Sequence, residues 1–457
     1  MQRLALLPVL LLLPACPSDP QILEDTGDLP ESTGDLSSST GDPTTGEPAA
    51  PGECVYGPAA ATRLALVTND FTAASLHIAS INPPDLSEDV AAVTTDPALS
   101  WGNDMLAVLG RYTFNRVTLL DSVDWAARFD FPVSVDGADE PNPQSLTFAA
   151  DGRAYLTLLA SPKIPIFDFT APPEENPVGA LDLTDFADAD GSPEAGVALA
   201  CGDVLFVGIQ RLVEFVPVDH SYLVPIDLTT QRPIDLDPAT DGPQAIELLG
   251  PWPKQIRQDP ADATGHTALV LTSGVERVDL VAGTSSWAVT PERLTALEID
   301  GFDVQSFAVA PDGASVYIVA TDGMFPASAL HQFGLADESA TTITTGLTTS
   351  EKALEILGTT LWIADADPDA PRLRRFDLTQ SPPTEGDWVA TPPPPYLLFA
   401  IPLFPAHLSS RPASRSPPAT RRSSTPRAPT STAPRPSSAP RRSQPRAAAP
   451  SPTPATS

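Results

Sequence analysis

Seven short apolar runs recur along the central part of the 457-residue chain, and their spacing constrains the fold more than any other feature. The runs begin at residues 62, 104, 153, 203, 266, 315 and 359, and each holds four or five β-forming residues between Gly, Asp, Asn or Pro. Runs of that length and composition predict strands. Because the same part of the sequence shows no sustained 3.6-residue apolar stripe, we predict an all-β fold.

Most runs have candidate partner strands on both sides. A second apolar segment precedes several of them across a tight turn, and Asp151-Gly152 and Asp312-Gly313 supply the positive φ that a hairpin turn needs. A third strand follows each run, and for the fourth run we assign it to "LVEFVPVD", 212–219. Repeated units of three or four short strands are typical of propeller blades, which bury their faces only by stacking in a ring. We predict a β-propeller of seven blades over residues 54–391.

The first and last units decide how such a ring closes. The first unit has no apolar segment before Arg63, and the chain turns Pro-rich after Leu378. Only "YLLFAIPLF", 396–404, could add a strand there, and Pro402 restricts it to an edge because proline cannot donate to a sheet ladder. We therefore expect the ring to close imperfectly between its last and first units.

Two stretches, "RLALVTNDFTAASLHIASIN" from Arg63 and "PDGASVYIVATDGMFPASALHQFGL" from Pro311, resemble the YVTN-type β-propeller repeat. Val67-Thr68-Asn69 matches the repeat signature directly, and Val319-Ala320-Thr321-Asp322 matches it in part. The resemblance implies the propeller fold. It does not imply one function, because related propellers serve as enzymes, ligand binders and surface scaffolds. The lactonase members of the family use His, Arg and Glu at the ring centre, and no position of this chain can be matched to them.

The amino terminus is typical of a secretory signal. Arg3 is followed by the apolar stretch Leu4–Leu13, which is shorter than the roughly 20 residues that span a bilayer as a helix. Leu13 to Cys16 resembles the lipobox of bacterial lipoproteins, although Pro14 departs from the usual residue. The resemblance implies a signal peptide over 1–16, a lipid on Cys16, and a place in the cell envelope, at the outer membrane or cell surface. An ordinary cleaved signal and an unprocessed buried helix are the alternatives.

Both flanks of the predicted propeller have the composition of disordered chain. Residues 17–53 carry three "TGD" repeats, opened by Thr26, Thr33 and Thr40, among Pro, Ser and acidic residues. Such a segment buries too little apolar surface to fold, so we interpret it as an extended acidic spacer. Residues 392–457 are rich in Pro, Arg and Ser.

The charge of the chain is divided unequally. Residues 392–457 hold nine of the 26 basic side chains and none of the 58 acidic ones, so residues 1–391 carry 17 against 58, a net charge of −41. That balance argues against a nucleic-acid partner. Three interpretations of the tail stay open: a basic nucleic-acid arm, a Pro-rich disordered tail, and a frame error. We favour the frame error, since the acidic density of the body predicts about 10 acids in a segment of this length.

One acidic loop is a candidate calcium site. The stretch "TDFADADGSPE" places five oxygen-bearing side chains around one glycine: Asp185, Asp188, Asp190, Ser192 and Glu194. Calcium prefers several hard oxygen ligands from a flexible loop. A second loop spaces Asp365, Asp367 and Asp369 by two residues. Solvated acidic turns are the alternative for both, and we predict no other cofactor.

The remaining candidate functional residues are two cysteines and two histidines. In an exported chain, Cys54 and Cys201 could form a disulfide, with two unpaired thiols or a partner lost from a misread tail as alternatives. His77 and His331 each follow a leucine in the third strand of a unit, which leaves open a shared metal, a proton-transfer pair or two satisfied strand histidines.

Two classes of function remain. The sequence lacks Gly-x-Ser-x-Gly, His-Glu-x-x-His and a phosphate-binding glycine loop. We favour a membrane-anchored propeller that binds a protein, a glycan or a small molecule, with a propeller hydrolase or oxidoreductase as the alternative. The polar residues of the central channel discriminate between them: convergent His, Glu and Arg would favour the enzyme, and small or apolar residues the binding module.

Overall fold

A computed structural model describes residues 61–402, apart from 70–71, 82–83, 87–89, 136–139, 173–174, 214–215, 218–219, 238, 241, 243, 263, 281, 300–303, 321–327, 350–351 and 392–393. The predictions for Cys16, the acidic spacer, Cys54 and the tail beyond residue 402 lie outside these residues. Within them, no helix is long and apolar enough to cross a bilayer.

The regular secondary structure of the described chain is almost entirely β-strand. Its strands in chain order are β1 Ala61–Asn69, β2 Ala74–Ile81, β3 Pro84–Leu86, β4 Ala91–Val93, β5 Pro97–Gly102, β6 Met105–Gly110, β7 Arg116–Asp121, β8 Ala127–Pro132, β9 Pro143–Phe148, β10 Arg153–Leu158, β11 Lys163–Asp168, β12 Gly179–Asp182, β13 Ala195–Cys201, β14 Val204–Ile209, β15 Leu212–Val213, β16 Val216–Pro217, β17 Tyr222–Asp227, β18 Arg232–Pro233, β19 Ile246–Glu247, β20 Gln255–Gln258, β21 Thr267–Leu271, β22 Val275–Asp279, β23 Thr284–Val289, β24 Val304–Val309, β25 Ser315–Ala320, β26 Ser328–Gly334, β27 Ala340–Leu347, β28 Leu354–Leu357, β29 Thr360–Asp365, β30 Arg372–Asp377, β31 Thr384–Glu385, β32 Val389–Ala390 and β33 Pro395–Pro402. One short α-helix, Pro291–Thr295, follows β23.

Seven antiparallel sheets of four or five strands form the blades. From the inner strand outward, blade 1 is β33-β1-β2-β3 with β4 also on β2, blade 2 is β5 to β8, blade 3 is β9 to β12, blade 4 is β13-β14-β17-β18 with β19 also on β17, blade 5 is β20 to β23, blade 6 is β24 to β27, and blade 7 is β28 to β31 with β32 also on β30. The seven apolar runs of the sequence are the seven second strands. The predicted all-β, seven-bladed propeller is therefore confirmed.

The predicted hairpin turns have the required backbone geometry. Gly152 (φ 90°) and Gly313 (φ 67°) lie in the left-handed region between the first and second strands of blades 3 and 6. The preceding aspartates cap these turns, because Asp151 Oδ1 accepts the Arg153 N–H at 2.9 Å and Asp312 Oδ1 accepts the Ala314 N–H at 2.9 Å. The turn chemistry read from the sequence thus fixes the register of both hairpins.

Seven buried apolar clusters lie between consecutive blades and complete the ring. Each cluster takes side chains from two neighbouring sheets, as Leu109 and Leu156 do between blades 2 and 3. The seventh cluster joins Trp362 and Leu373 of blade 7 to Leu64 and Leu398 of blade 1. Because the strands stack face to face, the edges of the inner strands face the central channel.

The expectation of imperfect closure is wrong. β33 is the inner strand of blade 1 and pairs with β1 from Ala61↔Pro402 to Thr68↔Pro395. Leu398 and Ala400 are buried in the cluster between blades 7 and 1. Pro402 is tolerated because an inner strand is hydrogen-bonded on one side only and Pro402 is its last residue. The predicted domain boundary at residue 391 therefore falls before the strand that closes the ring.

The third strand of blade 4 is also not where the sequence placed it. Tyr222–Asp227 pairs with β14, whereas Leu212–Val213 and Val216–Pro217 form a separate two-stranded hairpin. Val213 and Val216 are exposed by 47% and 61% in that hairpin. Their apolar character indicated burial, but the run "YLVPID" that follows carries the side chains that the sheet buries.

Candidate functional site

One end of the central channel widens into a cavity of about 340 Å³, which we call the mouth cavity. Its lining residues lie at the starts of inner strands or just after the ends of second strands, because antiparallel neighbours bring these positions to the same end of each sheet. The lining includes Arg111, Tyr112, Asn142, Trp252, Lys254 and Lys352. A second cavity of about 130 Å³ shares Lys254 and Lys352 and is lined by inner strands of six blades.

The mouth cavity is lined by several residues with left-handed backbone. Tyr112 (φ 54°), Asn142 (φ 53°), Trp252 (φ 60°) and Lys352 (φ 52°) are not glycines and adopt positive φ. Such residues cost about 1–2 kcal/mol each and persist only where neighbouring groups hold them. Trp252 is held because its N–H donates to Ser221 Oγ at 2.8 Å. Residues with positive φ also occur outside this cavity, as at Asn103 and Glu338, so here they describe the shape of the wall.

Asn142 connects blades 2 and 3 at this wall. It is only 8% exposed, and its Oδ1 accepts the Tyr112 N–H at 3.0 Å and Gln144 Nε2 at 2.8 Å. Its own N–H donates to Asn115 Oδ1 at 2.9 Å. Two asparagines therefore hold the loop after β6 against the start of β9.

The charged residues of the mouth cavity are three cations and one carboxylate. Arg111 Nε donates to Asp96 Oδ1 at 3.1 Å, so this pair is internally neutral. Lys254 precedes β20 of blade 5, and its Nζ donates to the Val304 carbonyl at 2.8 Å. Lys352 precedes β28 of blade 7, and its N–H donates to the Gln305 carbonyl at 3.4 Å. Lys254 and Lys352 thus add two basic side chains to the lining of the mouth cavity, and the charge of Lys352 also acts on Glu355.

An ion pair crosses the channel below the lysines. Arg257 of blade 5 reaches past blade 6 to Glu355 of blade 7, with Nη1 donating to Oε2 at 3.1 Å and Nη2 to Oε1 at 2.9 Å. Glu355 is 3% exposed. Burial raises the pKa of Glu355, and the charge of Arg257 beside it acts in the opposite direction. The bidentate geometry is the form in which a buried carboxylate is best compensated.

The central channel has the small side chains that were expected of a binding module, together with the convergent arginine and glutamate that were expected of an enzyme. Small side chains such as Ser100, Ser145 and Ala198 line it, and Arg257 and Glu355 also converge there. No histidine occurs among the lining residues described for the channel and the mouth cavity. The described hydrogen bonds of Arg257 and Glu355 join these two side chains to each other, so the pair links blade 5 to blade 7.

The structure brings together three of the five residues of the predicted calcium loop. Carboxylate oxygens of Asp188, Asp190 and Glu194 lie within 4.8 Å of one another. Asp185 lies instead in a short 3-10 helix, and Ser192 Oγ donates to the Leu159 carbonyl at 2.8 Å. Burial raises the pKa of Glu194 to about 7, with the neighbouring aspartates adding to the effect. Calcium binding here stays a prediction from the sequence.

The second acidic loop has a structural role. Asp365 is fully buried, accepts the Thr348 N–H at 3.0 Å, and pairs with Arg372 and Arg374 at 3.3 and 3.5 Å. Asp367 Oδ1 accepts the Asp369 N–H at 3.0 Å, which is a local turn bond. Asp365 therefore neutralises arginines of the next strand.

The two histidines and Cys201 lie away from the mouth cavity. His77 is in β2 of blade 1 and contacts Thr68 Oγ1 at 2.9 Å, and His331 is in β26 of blade 6 and contacts Thr342 Oγ1 at 3.2 Å. Blade 7 separates them, so they do not share a metal or a proton. Burial lowers the pKa of His331. Cys201 is disulfide-bonded, and its partner lies outside the described residues.

The sequence contained one overlooked signal for this site. The whole chain has only three lysines, Lys163, Lys254 and Lys352, and two of them line the mouth cavity. Their scarcity among 58 acidic residues could have drawn attention to them. Their place in one cavity could not have been predicted from the sequence, because they lie 98 residues apart and only the ring brings blades 5 and 7 to one channel.

Comparison with known proteins supports the same class of fold. No family model and no curated protein matches the chain. A proposed 6-phosphogluconolactonase from Bacteroides fragilis NCTC 9343 has a TM-score of 0.51 at 13% identity, over 75% of this chain and 98% of that one. The periplasmic gluconolactonase of Pseudomonas aeruginosa has a TM-score of 0.50 at 13% identity, over 75% of this chain and 99% of that one. At such identity the likeness establishes the fold alone, and the chain is a seven-bladed β-propeller.

Proposed function

We propose that this protein is a lipid-anchored envelope protein whose propeller binds a small polar molecule in the mouth cavity. One observation carries the proposal: a cavity of about 340 Å³ at one end of the channel is lined from several blades by polar side chains. Ligand sites are usually concave, largely pre-formed and equipped with a few converging polar groups. The lipid on Cys16 and the acidic spacer would hold this site away from the membrane.

A cavity-filling substitution tests the proposal. Leu159 lines the mouth cavity, and its described backbone bonds do not depend on its side chain. A library of small polar metabolites is screened by thermal shift on the wild type, and the stabilising compounds are then titrated calorimetrically into Leu159→Trp. We expect Leu159→Trp to lose binding because the indole occupies the cavity.

Val123→Trp is the matched control, since Val123 is 86% exposed in the turn after β7 and does not line the cavity. It should bind as the wild type does. Compounds that bind wild type and Leu159→Trp equally would place the ligand elsewhere and contradict the proposal.

A lactonase-like hydrolase remains the second candidate, favoured by the Arg257–Glu355 pair at the ring centre. A buried carboxyl whose pKa is raised can serve as a general acid or base once its partner moves. A pH-stat assay of δ-lactone opening tests it, with Glu355→Gln as the variant. Turnover by the wild type that Glu355→Gln abolishes would favour the enzyme, and equal background rates would contradict it.

A further inference from the structure

Five acidic side chains are buried among the residues that the structure describes, and four of them are well compensated. Asp259, Glu355 and Asp365 each pair with an arginine. Glu276 accepts four hydrogen bonds, from two backbone N–H groups and two hydroxyl groups. Such compensation is needed because burial removes a charged group from water. The fifth buried acid is Glu194.

Glu194 lacks compensation of this strength. Its carboxylate is 5% exposed, its Oε2 accepts the Leu212 N–H at 3.0 Å, and the Ser192 hydroxyl also bonds to it. No cationic side chain pairs with it within the described part of the chain, and its charged neighbours are instead Asp188 and Asp190. Oxygens of the three carboxylates lie within 4.8 Å of one another. The buried carboxylate with the least compensation is therefore also the one with two like charges beside it.

Asp188 supplies a second, independent observation at the same place. Its Oδ1 accepts the Asp190 N–H at 3.1 Å, whereas its Oδ2 is shielded from solvent and accepts no hydrogen bond. Among the described residues, seven buried side-chain nitrogen or oxygen atoms have no hydrogen-bond partner, and Asp188 Oδ2 is the only carboxylate oxygen of the seven. Burying such an oxygen without a partner is costly. Both observations point to a cation at this cluster.

We propose that Asp188, Asp190 and Glu194 bind one calcium ion. The three carboxylates supply the hard oxygen ligands that calcium prefers, and all come from the loop between β12 and β13. Oxygens that bind one calcium ion at about 2.3–2.6 Å lie no more than about 5 Å apart, which the cluster satisfies. Magnesium fits less well, because it dehydrates reluctantly and is usually held by only one or two carboxylates.

The proposed calcium site adjoins the wall of the mouth cavity. The Glu194 carbonyl accepts the Gln210 N–H at 3.2 Å, and its carboxylate accepts the Leu212 N–H. Ser192, in the same loop, donates to the Leu159 carbonyl at 2.8 Å. Leu159, Gln210 and Leu212 all line the mouth cavity. The ion therefore stabilises the loop that connects the chain after β10 to the chain after β14, and it does so whether or not the mouth cavity holds a ligand.

Thermal denaturation and calorimetric titration of the EDTA-treated full chain test the inference, with CaCl2 and MgCl2 compared at constant ionic strength. We expect calcium to titrate one site with a dissociation constant on the order of 0.1 mM. It should raise the melting temperature by about 3 °C or more at about 10 mM, because it binds only the folded state. Magnesium should have a much smaller effect.

Asp190→Asn is the test variant. Asp190 is exposed, and asparagine keeps the oxygen that accepts the Ser192 N–H at 2.8 Å, so the variant removes one charge without removing that bond. It should weaken calcium binding by about tenfold or more. Asp185→Asn is the matched control, because Asp185 is exposed in the same loop but lies in the 3-10 helix Thr184–Phe186, outside the cluster. It should bind calcium as the wild type does.

Three results would overturn the inference. The first is the absence of a calcium response in the wild type. The second is an equal response to magnesium, and the third is full retention of the calcium response in Asp190→Asn; either would indicate diffuse attraction of divalent cations to an acidic surface. None of these measurements involves a ligand of the mouth cavity, so their outcome is independent of the proposed function.

Discussion

At the scale of single residues, the Arg257–Glu355 pair is the most consequential contact of the channel. Glu355 is buried, and the bidentate guanidinium of Arg257 compensates its charge across a blade. Breaking such a pair from one side leaves a buried charge without compensation, whereas replacing both members by apolar residues is often tolerated. We therefore expect asymmetric effects from single and double substitutions.

Arg257→Met should lower the free energy of unfolding by about 3–5 kcal/mol near neutral pH, and Arg257→Met/Glu355→Leu should recover most of that loss. Chemical denaturation measures both. Arg116→Met is the control, because Arg116 pairs with Asp130 at the surface, where both side chains are more than 40% exposed, and it should leave the denaturation midpoint nearly unchanged. Equal losses in the single and the double variants would contradict this account.

The same variant has a predicted pH dependence. Burial raises the pKa of Glu355 above 4.5, and removing Arg257 removes the main opposing effect. A carboxyl group whose pKa is higher in the folded state than in the unfolded state lowers the stability of the fold as the pH rises. The loss begins near the pKa of the unfolded state and is complete above the pKa of the folded state. The difference in melting temperature between Arg257→Met and the wild type should therefore be small at pH 4 and widen toward pH 7. A constant difference across that range would contradict the cause given for the pKa.

Some single residues could be assigned a structural role from the sequence, and others could not. The glycines of the Asp-Gly turns were predictable because their backbone requirement is local. The partners of Asp365 were not predictable. In the sequence, a carboxylate two residues from other acidic residues has the same pattern whether it binds calcium or neutralises Arg372 and Arg374. The lysine pair of the mouth cavity depends on ring geometry and has no local signature.

At the scale of elements, β33 is the strand that makes the ring continuous. It supplies the inner edge of blade 1 and buries Leu398, Ala400 and Ile401 against blades 7 and 2. The segment was predictable from the sequence as the only possible closing strand. The expected effect of Pro402 on closure was wrong, because an inner strand of a propeller is hydrogen-bonded on one side only.

Truncation after residue 394 should therefore destabilise the propeller strongly. Burial of Leu398 alone contributes about 2 kcal/mol, and the loss of β33 also exposes the edge of β1. Truncation after residue 407 retains β33 and is the control, which should melt as the full chain does. Thermal denaturation compares the two, and equal melting temperatures would show that β33 is dispensable.

The fit of β33 also bears on the origin of the tail. If β33 belongs to the native ring, the reading frame is unbroken through codon 402, and any shift lies after it. Sequencing the gene and its transcript across codons 385–457 measures this directly. A shift located before codon 395 would mean that the native closing strand has another sequence.

At the scale of the whole molecule, the proposed function requires a lipid anchor on Cys16, an acidic spacer and the propeller. If Cys16 is acylated, Cys16→Ser should move the protein from the membrane fraction to the soluble exported pool. If the spacer is disordered, as its composition predicts, deletion of the three "TGD" repeats should change the melting temperature of the propeller by only about a degree, because few contacts would be lost. Unchanged membrane partitioning of Cys16→Ser would contradict the lipid anchor, and a loss of several degrees would show that the spacer packs on the ring.

The most direct test of the central claim is hydrogen–deuterium exchange, measured with and without a compound that stabilises the wild type in the thermal screen. We predict slower exchange in the segments that form the mouth cavity, 110–115, 140–146, 209–213 and 250–257, with the outer strands β8, β12 and β27 unchanged. Protection confined to the outer strands, with none in the mouth segments, would contradict the assignment of the mouth cavity as the ligand site.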